Sequence, residues 1–269
     1  MSFVDKLWTT SRRNRSLLCV GLDPDPSLMP LADIFEFNRC IIDATADVVC
    51  AYKPNMAFYE AAGLDGLKAL LRTVEYVPDG IPVISDAKRG DIGNTARAYA
   101  RSVFEGFGFD AVTVNPYLGK DALDPFFEYA DRGVFVLCRT SNPGARDFQD
   151  LPVRLGEDEM PLYQAVALRA REWNTRGNVG LVVGATYPDE IARVRALCPD
   201  MPFLVPGVGA QGGDLEAAVR AGLDVRGRGV IVNVSRQVLY ASKGPDFADA
   251  ARLAAEKARD DINRYRPLS

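Results

Sequence analysis

Asp86, Lys88 and Asp91 fall within six residues of one another, in the segment Val83-Ile84-Ser85-Asp86-Ala87-Lys88-Arg89-Gly90-Asp91-Ile92-Gly93-Asn94-Thr95. An apolar run, Ile81 to Ser85, leads into them and reads as a buried strand. If that strand runs on to Lys88, its period of two puts Asp86 and Lys88 on one face and Ala87 on the other. Gly90 lets the chain turn, and Asp91 stands where a helix would begin. The spacing predicts an ammonium held between two carboxylates at the end of a buried strand. Such a cluster is costly to desolvate even when paired. Unpaired, the same charges would be costlier still to bury.

Each of the three has an ordinary explanation when taken alone. Asp91 could be a helix N-cap, Lys88 a surface lysine at a strand end, and Asp86 a turn-forming aspartate. All three at this spacing, directly after an apolar strand, favour a site.

Composition limits what chemistry the site can use. The 269 residues contain no histidine, which excludes histidine-based serine or cysteine triads and the usual zinc sites. Any general acid must then be Lys, Asp, Glu, Tyr or Cys. Five cysteines (Cys19, Cys40, Cys50, Cys138, Cys198) form no CxxC pair and sit mostly among apolar residues, as reduced, buried thiols do. Charged residues make up 25% and hydrophobic residues 48%, enough apolar mass for a full core. The net charge of −4, without a basic run, gives no support for nucleic-acid binding. No apolar stretch reaches the roughly 18 residues of a membrane span, and Met1 to Arg15 is polar rather than signal-like. The reading is cytoplasmic, with no membrane contact.

The elements that must position these charges alternate along the chain. A leading helix, Val4 to Arg15, precedes strand Leu17 to Leu22, which ends in Asp23-Pro24. Helix Asp33 to Asp47 leads to strand Val48 to Tyr52, which ends in Lys53-Pro54-Asn55. Two short helices, Ala57 to Ala62 and Leu64 to Tyr76, lead to the strand that ends in Asp86. Helix Asp91 to Gly106, strand Asp110 to Val114, helix Lys120 to Ala130 and strand Val134 to Cys138 follow. That last strand ends in Arg139-Thr140-Ser141-Asn142-Pro143-Gly144, and a long polar loop then runs to Glu159. The remainder reads as helix Leu162 to Asn174, strand Val179 to Val183, helix Pro188 to Leu197 and strand Phe203 to Val205. Helix Leu215 to Ala221, strand Gly229 to Val234 and helix Asp246 to Tyr265 complete it.

Eight strand–helix units with continuously apolar strands predict an α/β fold, a single (β/α)8 TIM barrel over residues 1–269, with a doubly wound open sheet as the alternative. The length matches the roughly 250 residues typical of such barrels. In a barrel the strand ends converge on one mouth, bringing Asp23, Lys53, Asp86, Lys88, Asn115, Ser141, Gln211, Ser235 and Arg236 together.

The segment Pro206-Gly207-Val208-Gly209-Ala210-Gln211-Gly212-Gly213-Asp214 is rich in glycine, so its amides can approach an anion closely, and the helix from Leu215 aims its N-terminus there. Ser235-Arg236 ends the last strand and offers a guanidinium for phosphate oxygens. Loops after the seventh and eighth strands of α/β barrels often bind phosphate. No GxxxxGK[ST] or GxGxxG follows a strand, so NTP hydrolysis and dinucleotide binding are poorly supported.

With these segments in view, the chain resembles the orotidine 5′-phosphate decarboxylase family, in its longer bacterial and archaeal branch (type 2). The resemblance is carried by Asp86-Ala87-Lys88-Arg89-Gly90-Asp91-Ile92-Gly93-Asn94-Thr95 and recurs in Cys19-Val20-Gly21-Leu22-Asp23-Pro24 and Lys53-Pro54-Asn55. It continues through Thr140-Ser141-Asn142-Pro143-Gly144, Pro206 to Gly213 and Asn233-Val234-Ser235-Arg236. The resemblance implies cofactor-free conversion of orotidine 5′-monophosphate to UMP and carbon dioxide, with no metal. It implies Lys88 as proton donor to C6, Asp86 beside the substrate carboxylate, and Lys53 as the link to the ribose. By the same resemblance Asp91 and Thr95 reach the neighbouring site of a homodimer, Asp23 binds the ribose and Ser141 the pyrimidine edge. Pro206 lines the base pocket, and Gln211 and Arg236 hold the phosphate. Residues 146–159 depart from the compact family pattern and receive no role.

DxKxxD is also shared by Mg²⁺-dependent sugar-phosphate decarboxylases and aldolases of the same superfamily. A non-catalytic barrel that binds UMP is the other alternative. Metal dependence separates the first, and lack of turnover the second.

Overall fold

The structure, a computed structural model, describes residues 1–208 and 214–266. Its strands are β1 (Leu18–Leu22), β2 (Ala51–Pro54), β3 (Ile84–Arg89), β4 (Ala111–Val114), β5 (Gly133–Arg139), β6 (Pro152–Leu155), β7 (Asp158–Pro161), β8 (Val179–Val183), β9 (Phe203–Val205) and β10 (Val230–Val234). Between and around them run α1 (Phe3–Arg13), α2 (Ile34–Thr45), α3 (Met56–Ala61), α4 (Gly63–Tyr76), α5 (Gly93–Arg101), α6 (Asp124–Phe127), α7 (Leu162–Trp173), α8 (Pro188–Leu197), α9 (Leu215–Gly222), α10 (Arg236–Leu239) and α11 (Phe247–Arg264).

Among the described residues eight strands pair in parallel, in the order β2-β1-β10-β9-β8-β5-β4-β3. The two ends of that order meet through bridges Tyr52↔Val83 and Asn55↔Asp86, and Tyr52 N–H donates to the Pro82 carbonyl at 3.0 Å. The sheet is thereby a nearly closed barrel, as the alternation predicts, and not a doubly wound open sheet. β1, β8 and β10 are buried along their whole length, because helices cover one face of a parallel sheet and the barrel interior the other. α1 lies across the start of β4 and β5. Its Phe3 ring meets Phe135 edge-on at 5.7 Å, and Lys6 pairs with Asp110 at 2.9 Å. No helix among the described residues is long and apolar enough to cross a membrane.

Three expectations need correction. The stretch read as a polar loop to Glu159 contains the antiparallel hairpin β6–β7, turning at Gly156-Glu157 with Gly156 at φ +66°. The helix expected over Lys120 to Ala130 is only the single turn α6, because Pro125 admits a helix at its first turn and not in its interior. Asp91 is not the N-cap of α5. Ile92 occupies that position in an extended conformation, and the Asp91 carboxylate accepts the Ile92 amide at 2.8 Å.

Candidate active site

At the mouth of the barrel a cleft of about 460 Å³ is lined by Asp23, Lys53, Asp86, Pro206, Ser235 and Arg236, together with residues not singled out from the sequence. On its β2–β3 side, Lys53 Nζ donates to Asp86 Oδ2 at 2.8 Å and Lys88 Nζ donates to Asp86 Oδ1 at 2.5 Å. The observed motif thus inverts the predicted one: a carboxylate sits between two ammonium groups. No hydrogen bond or ion pair joins Asp91 to Lys88 among the described residues.

The electrostatics follow from burial and these pairs. Burial disfavours the Asp86 carboxylate, but Lys53 and Lys88 together outweigh it and hold the group well below the usual carboxylate range. Burial likewise disfavours charge on Lys53, which is only 4% exposed, yet Asp86 and then Asp23 push it above the ordinary lysine value. Both stay ionised at neutral pH. Cys19, next to this cluster, is pushed up to about 12, chiefly by burial, and remains a neutral thiol.

The strand that delivers Lys88 does not follow a simple alternation. The β3–β4 register passes from Ser85↔Val112 to Arg89↔Val114, so a bulge occupies the positions between. Lys88 has φ +49°, a left-handed conformation uncommon for a residue with a side chain. Its ammonium nevertheless reaches Asp86, and its side chain is half exposed.

The opposite side of the cleft is less filled. Asp23 is held by its backbone: Tyr240 Oη donates to its carbonyl at 2.8 Å and accepts the Asp25 amide at 2.7 Å. Asp23 Oδ1 and Asn233 Oδ1 are buried without a hydrogen-bond partner. Gly21 is required here, since a Cβ on it would lie 2.0 Å from Ser235 Oγ. Arg236 is exposed and opens α10. The α9 N-terminus, expected to face an anion, is capped by Asp214, whose carboxylate accepts the Ala217 amide at 3.1 Å.

A family model described as "Orotidine 5'-phosphate decarboxylase / HUMPS family" matches residues 16–251. The chain belongs to this family. The protein named orotidine 5'-phosphate decarboxylase of Thermomicrobium roseum is 58% identical over 273 residues, covering 99% of this chain and 96% of that one. Its namesake in Roseiflexus castenholzii is 59% identical over 270 residues, with 98% of each chain covered. The solved structure of Leishmania donovani OMP decarboxylase superposes with a TM-score of 0.87 at 47% identity, over 98% of this chain and 99% of that chain.

Against the family's motifs, the structure gathers Asp23, Lys53, Asp86, Pro206, Ser235 and Arg236 around one cleft and joins Lys88 to it through Asp86. Ser141 lies at the end of β5, packed so tightly against Gly184 that a Cβ there would come within 2.8 Å of it. That turn is anchored from below by Arg139, 1% exposed, which is bonded to Glu190 and lies 2.8 Å from Asp150. Gln149 adds bonds to both the amide and the hydroxyl of Thr140. Asp91 and Thr95 are not among the residues that line the cleft, and Thr95 is exposed. Gln211 lies outside the described residues.

Sequence reasoning missed Thr113, Asn233, Tyr240 and Asn55. Asn233 and Asn55 stand inside quoted motifs, so their position beside Ser235 and Lys53 was an available signal. Tyr240 and Thr113 had none, because each acts on a segment distant in sequence.

Proposed function

We propose that this chain decarboxylates orotidine 5′-monophosphate to UMP and carbon dioxide, the last step of de novo UMP synthesis. We assign the proton donor as Lys88, with no cofactor. The supporting observation is the Lys53–Asp86–Lys88 cluster at the cleft, in a chain nearly 60% identical to decarboxylases of that name along almost its whole length.

The chemistry demands such a cluster. Breaking the bond from C6 to the carboxyl carbon releases carbon dioxide and leaves the electron pair on C6. That pair lies in the ring plane and is poorly delocalised into the π system. A fixed ammonium in a water-poor site stabilises it far better than water does. The pair then takes a proton from Lys88 Nζ, forming the C6–H bond of UMP. Asp86, already ionised, holds Lys88 by an ion pair and sits beside the departing carboxylate. Lys53 fixes Asp86 from its buried side and links the cluster to the ribose.

In this reading Asp23 binds the ribose, Ser141 the pyrimidine edge, and Pro206 the base. Gln211, Ser235 and Arg236 hold the phosphate. The chain works as one catalytic domain in the cytoplasm, as a homodimer. Asp91 and Thr95, which do not line their own cleft, serve the ribose of the neighbouring site, and the second carboxylate expected near Lys88 is the partner's.

The deciding experiment follows orotidine 5′-monophosphate by absorbance after exhaustive EDTA treatment, for wild type and Lys88→Ala. Metal-free turnover by wild type is expected, with a loss of at least about 10⁴-fold in a folded Lys88→Ala protein. Substantial activity in the variant removes Lys88 from its role. Activity on sugar phosphates that appears only with Mg²⁺ puts the chain on the other side of its superfamily.

A further inference from the structure

Thr113, the third residue of β4, is 1% exposed, and its hydroxyl is committed entirely to the bulge of β3. Its Oγ1 accepts the amide of Ala87 at 3.1 Å and the amide of Lys88 at 3.0 Å. The same hydroxyl donates to Asp86 Oδ1 at 3.2 Å, the oxygen that also receives the Lys88 ammonium. A threonine hydroxyl has two acceptor lone pairs and one proton, so these three bonds exhaust it.

The register explains why a hydroxyl is needed. Between Ser85↔Val112 and Arg89↔Val114, the residues Asp86, Ala87 and Lys88 stand opposite Thr113. A regular parallel ladder turns successive amides toward opposite neighbours, whereas the bulge brings the consecutive Ala87 and Lys88 amides to one point on β4, the Thr113 hydroxyl. The side chain of Thr113 substitutes for the missing strand. It thereby holds Lys88 in its left-handed conformation, which turns the ammonium back toward Asp86.

We propose that Thr113 is a positioning residue for decarboxylation: its hydroxyl, by joining the Ala87 and Lys88 amides to the Asp86 carboxylate, sets where the Lys88 ammonium stands relative to C6. This inference rests on the reading of Lys88 as proton donor. Thr113 does not line the cleft, so it acts through Asp86 and Lys88 rather than on the substrate. Its loss therefore displaces the proton donor and leaves the phosphate and ribose contacts in place.

The test compares wild type, Thr113→Val, Thr113→Ser and Lys88→Ala by metal-free turnover at saturating orotidine 5′-monophosphate, affinity for UMP, and thermal midpoint. Valine keeps the shape of threonine and removes both its donor and its acceptor. Thr113→Val is expected to lose about 10- to 100-fold in kcat, the scale of a misplacement of roughly 1 Å, while UMP affinity changes less than about threefold. Thr113→Ser, which restores the hydroxyl, is expected to return kcat to within about threefold of wild type. If Thr113→Val does not fold, Thr113→Cys replaces it, with a thiol too weak an acceptor to hold two amides, and the same drop in kcat is expected. Unchanged kcat in the folded valine or cysteine variant, with Lys88→Ala inactive, overturns the role of Thr113 and leaves that of Lys88 intact. A serine variant as impaired as the valine variant also overturns it. Activity in Lys88→Ala overturns the reading on which both depend.

Discussion

At the β2–β3 side of the cleft, Asp86 is bonded to both Lys53 and Lys88. At the β1–β10 side, Asp23 Oδ1 and Asn233 Oδ1 are buried without partners, and Arg236 is exposed with no ion pair to a described residue. In the proposed reaction the contrast follows from what each side has to do. Charges that act on a short-lived carbanion gain most when they are fixed in advance, since they then need no reorganisation as the reaction proceeds. Groups that grip a phosphate and ribose can wait for the ligand, because binding energy remote from C6 can be used to close and organise the site.

The comparison breaks most severely at its centre. Asp86→Ala leaves the buried Lys53 ammonium with no partner for its 2.8 Å bond, a loss expected to cost about 3–5 kcal/mol of stability and roughly 10³-fold or more in turnover. Denaturant unfolding and absorbance assays check both. A stable, active Asp86→Ala protein shows that the cluster was not prebuilt for the reaction. The proposed sharing of Asp91 extends the cluster across an interface. Mixing inactive Lys88→Ala and Asp91→Ala proteins should then restore about a quarter of wild-type activity, since half the dimers carry one intact site. Verified subunit exchange without rescue argues that Asp91 serves its own chain.

On the adaptable side the effects are smaller and selective. Arg236→Ala should weaken UMP by about 10- to 100-fold, the worth of a charged hydrogen bond or two, while uridine is nearly unaffected. Equal losses for nucleotide and nucleoside would place the phosphate elsewhere. The mildest test uses pH. Asp86 is held below its unfolded value, so its contribution to stability is complete above about pH 4 and is lost as pH falls toward the folded value. Lys53 is held above its unfolded value, so its contribution is complete below about pH 10.4 and is lost as pH rises beyond it. The difference in thermal midpoint between wild type and Asp86→Asn should therefore narrow below about pH 4, as Asp86 takes up its proton in the wild type. A difference unchanged on acidification would assign the linkage to other groups.

The same two sides differ in how readable they were. The barrel was legible because buried parallel strands carry continuous apolar runs, and because polar residues placed directly after such runs must meet at one mouth. That logic puts Lys53, Asp86, Ser235 and Arg236 at the mouth, and all four line the cleft. It failed where a side chain replaces backbone pairing. Alternation along Ser85 to Lys88 gives no sign of a bulge, and nothing in Ala111-Val112-Thr113-Val114 marks one hydroxyl as the partner of two amides on another strand. The hairpin was missed for a simpler reason. Charged residues concealed the alternation around Gly156-Glu157, although a two-residue turn containing glycine is a hairpin signal. The helix was expected from Asp91 because an aspartate there suggests a helix start, whereas the chain stays extended through Ile92 and α5 begins at Gly93.

The seam of the barrel carries a further consequence. β2 and β3 are joined by two isolated bridges, while β1–β2 and β4–β5 share ladders of four paired positions. Lys53 stands on one lip of that seam and Asp86 on the other, so their ion pair works as a rivet. An opening of this joint would dissolve the charge cluster while the rest of the wall stays zipped. On heating, catalytic competence should fade while amides of β5 and β8 still resist exchange with solvent deuterium. Heat tolerance of the activity is then a property of one joint rather than of the whole fold.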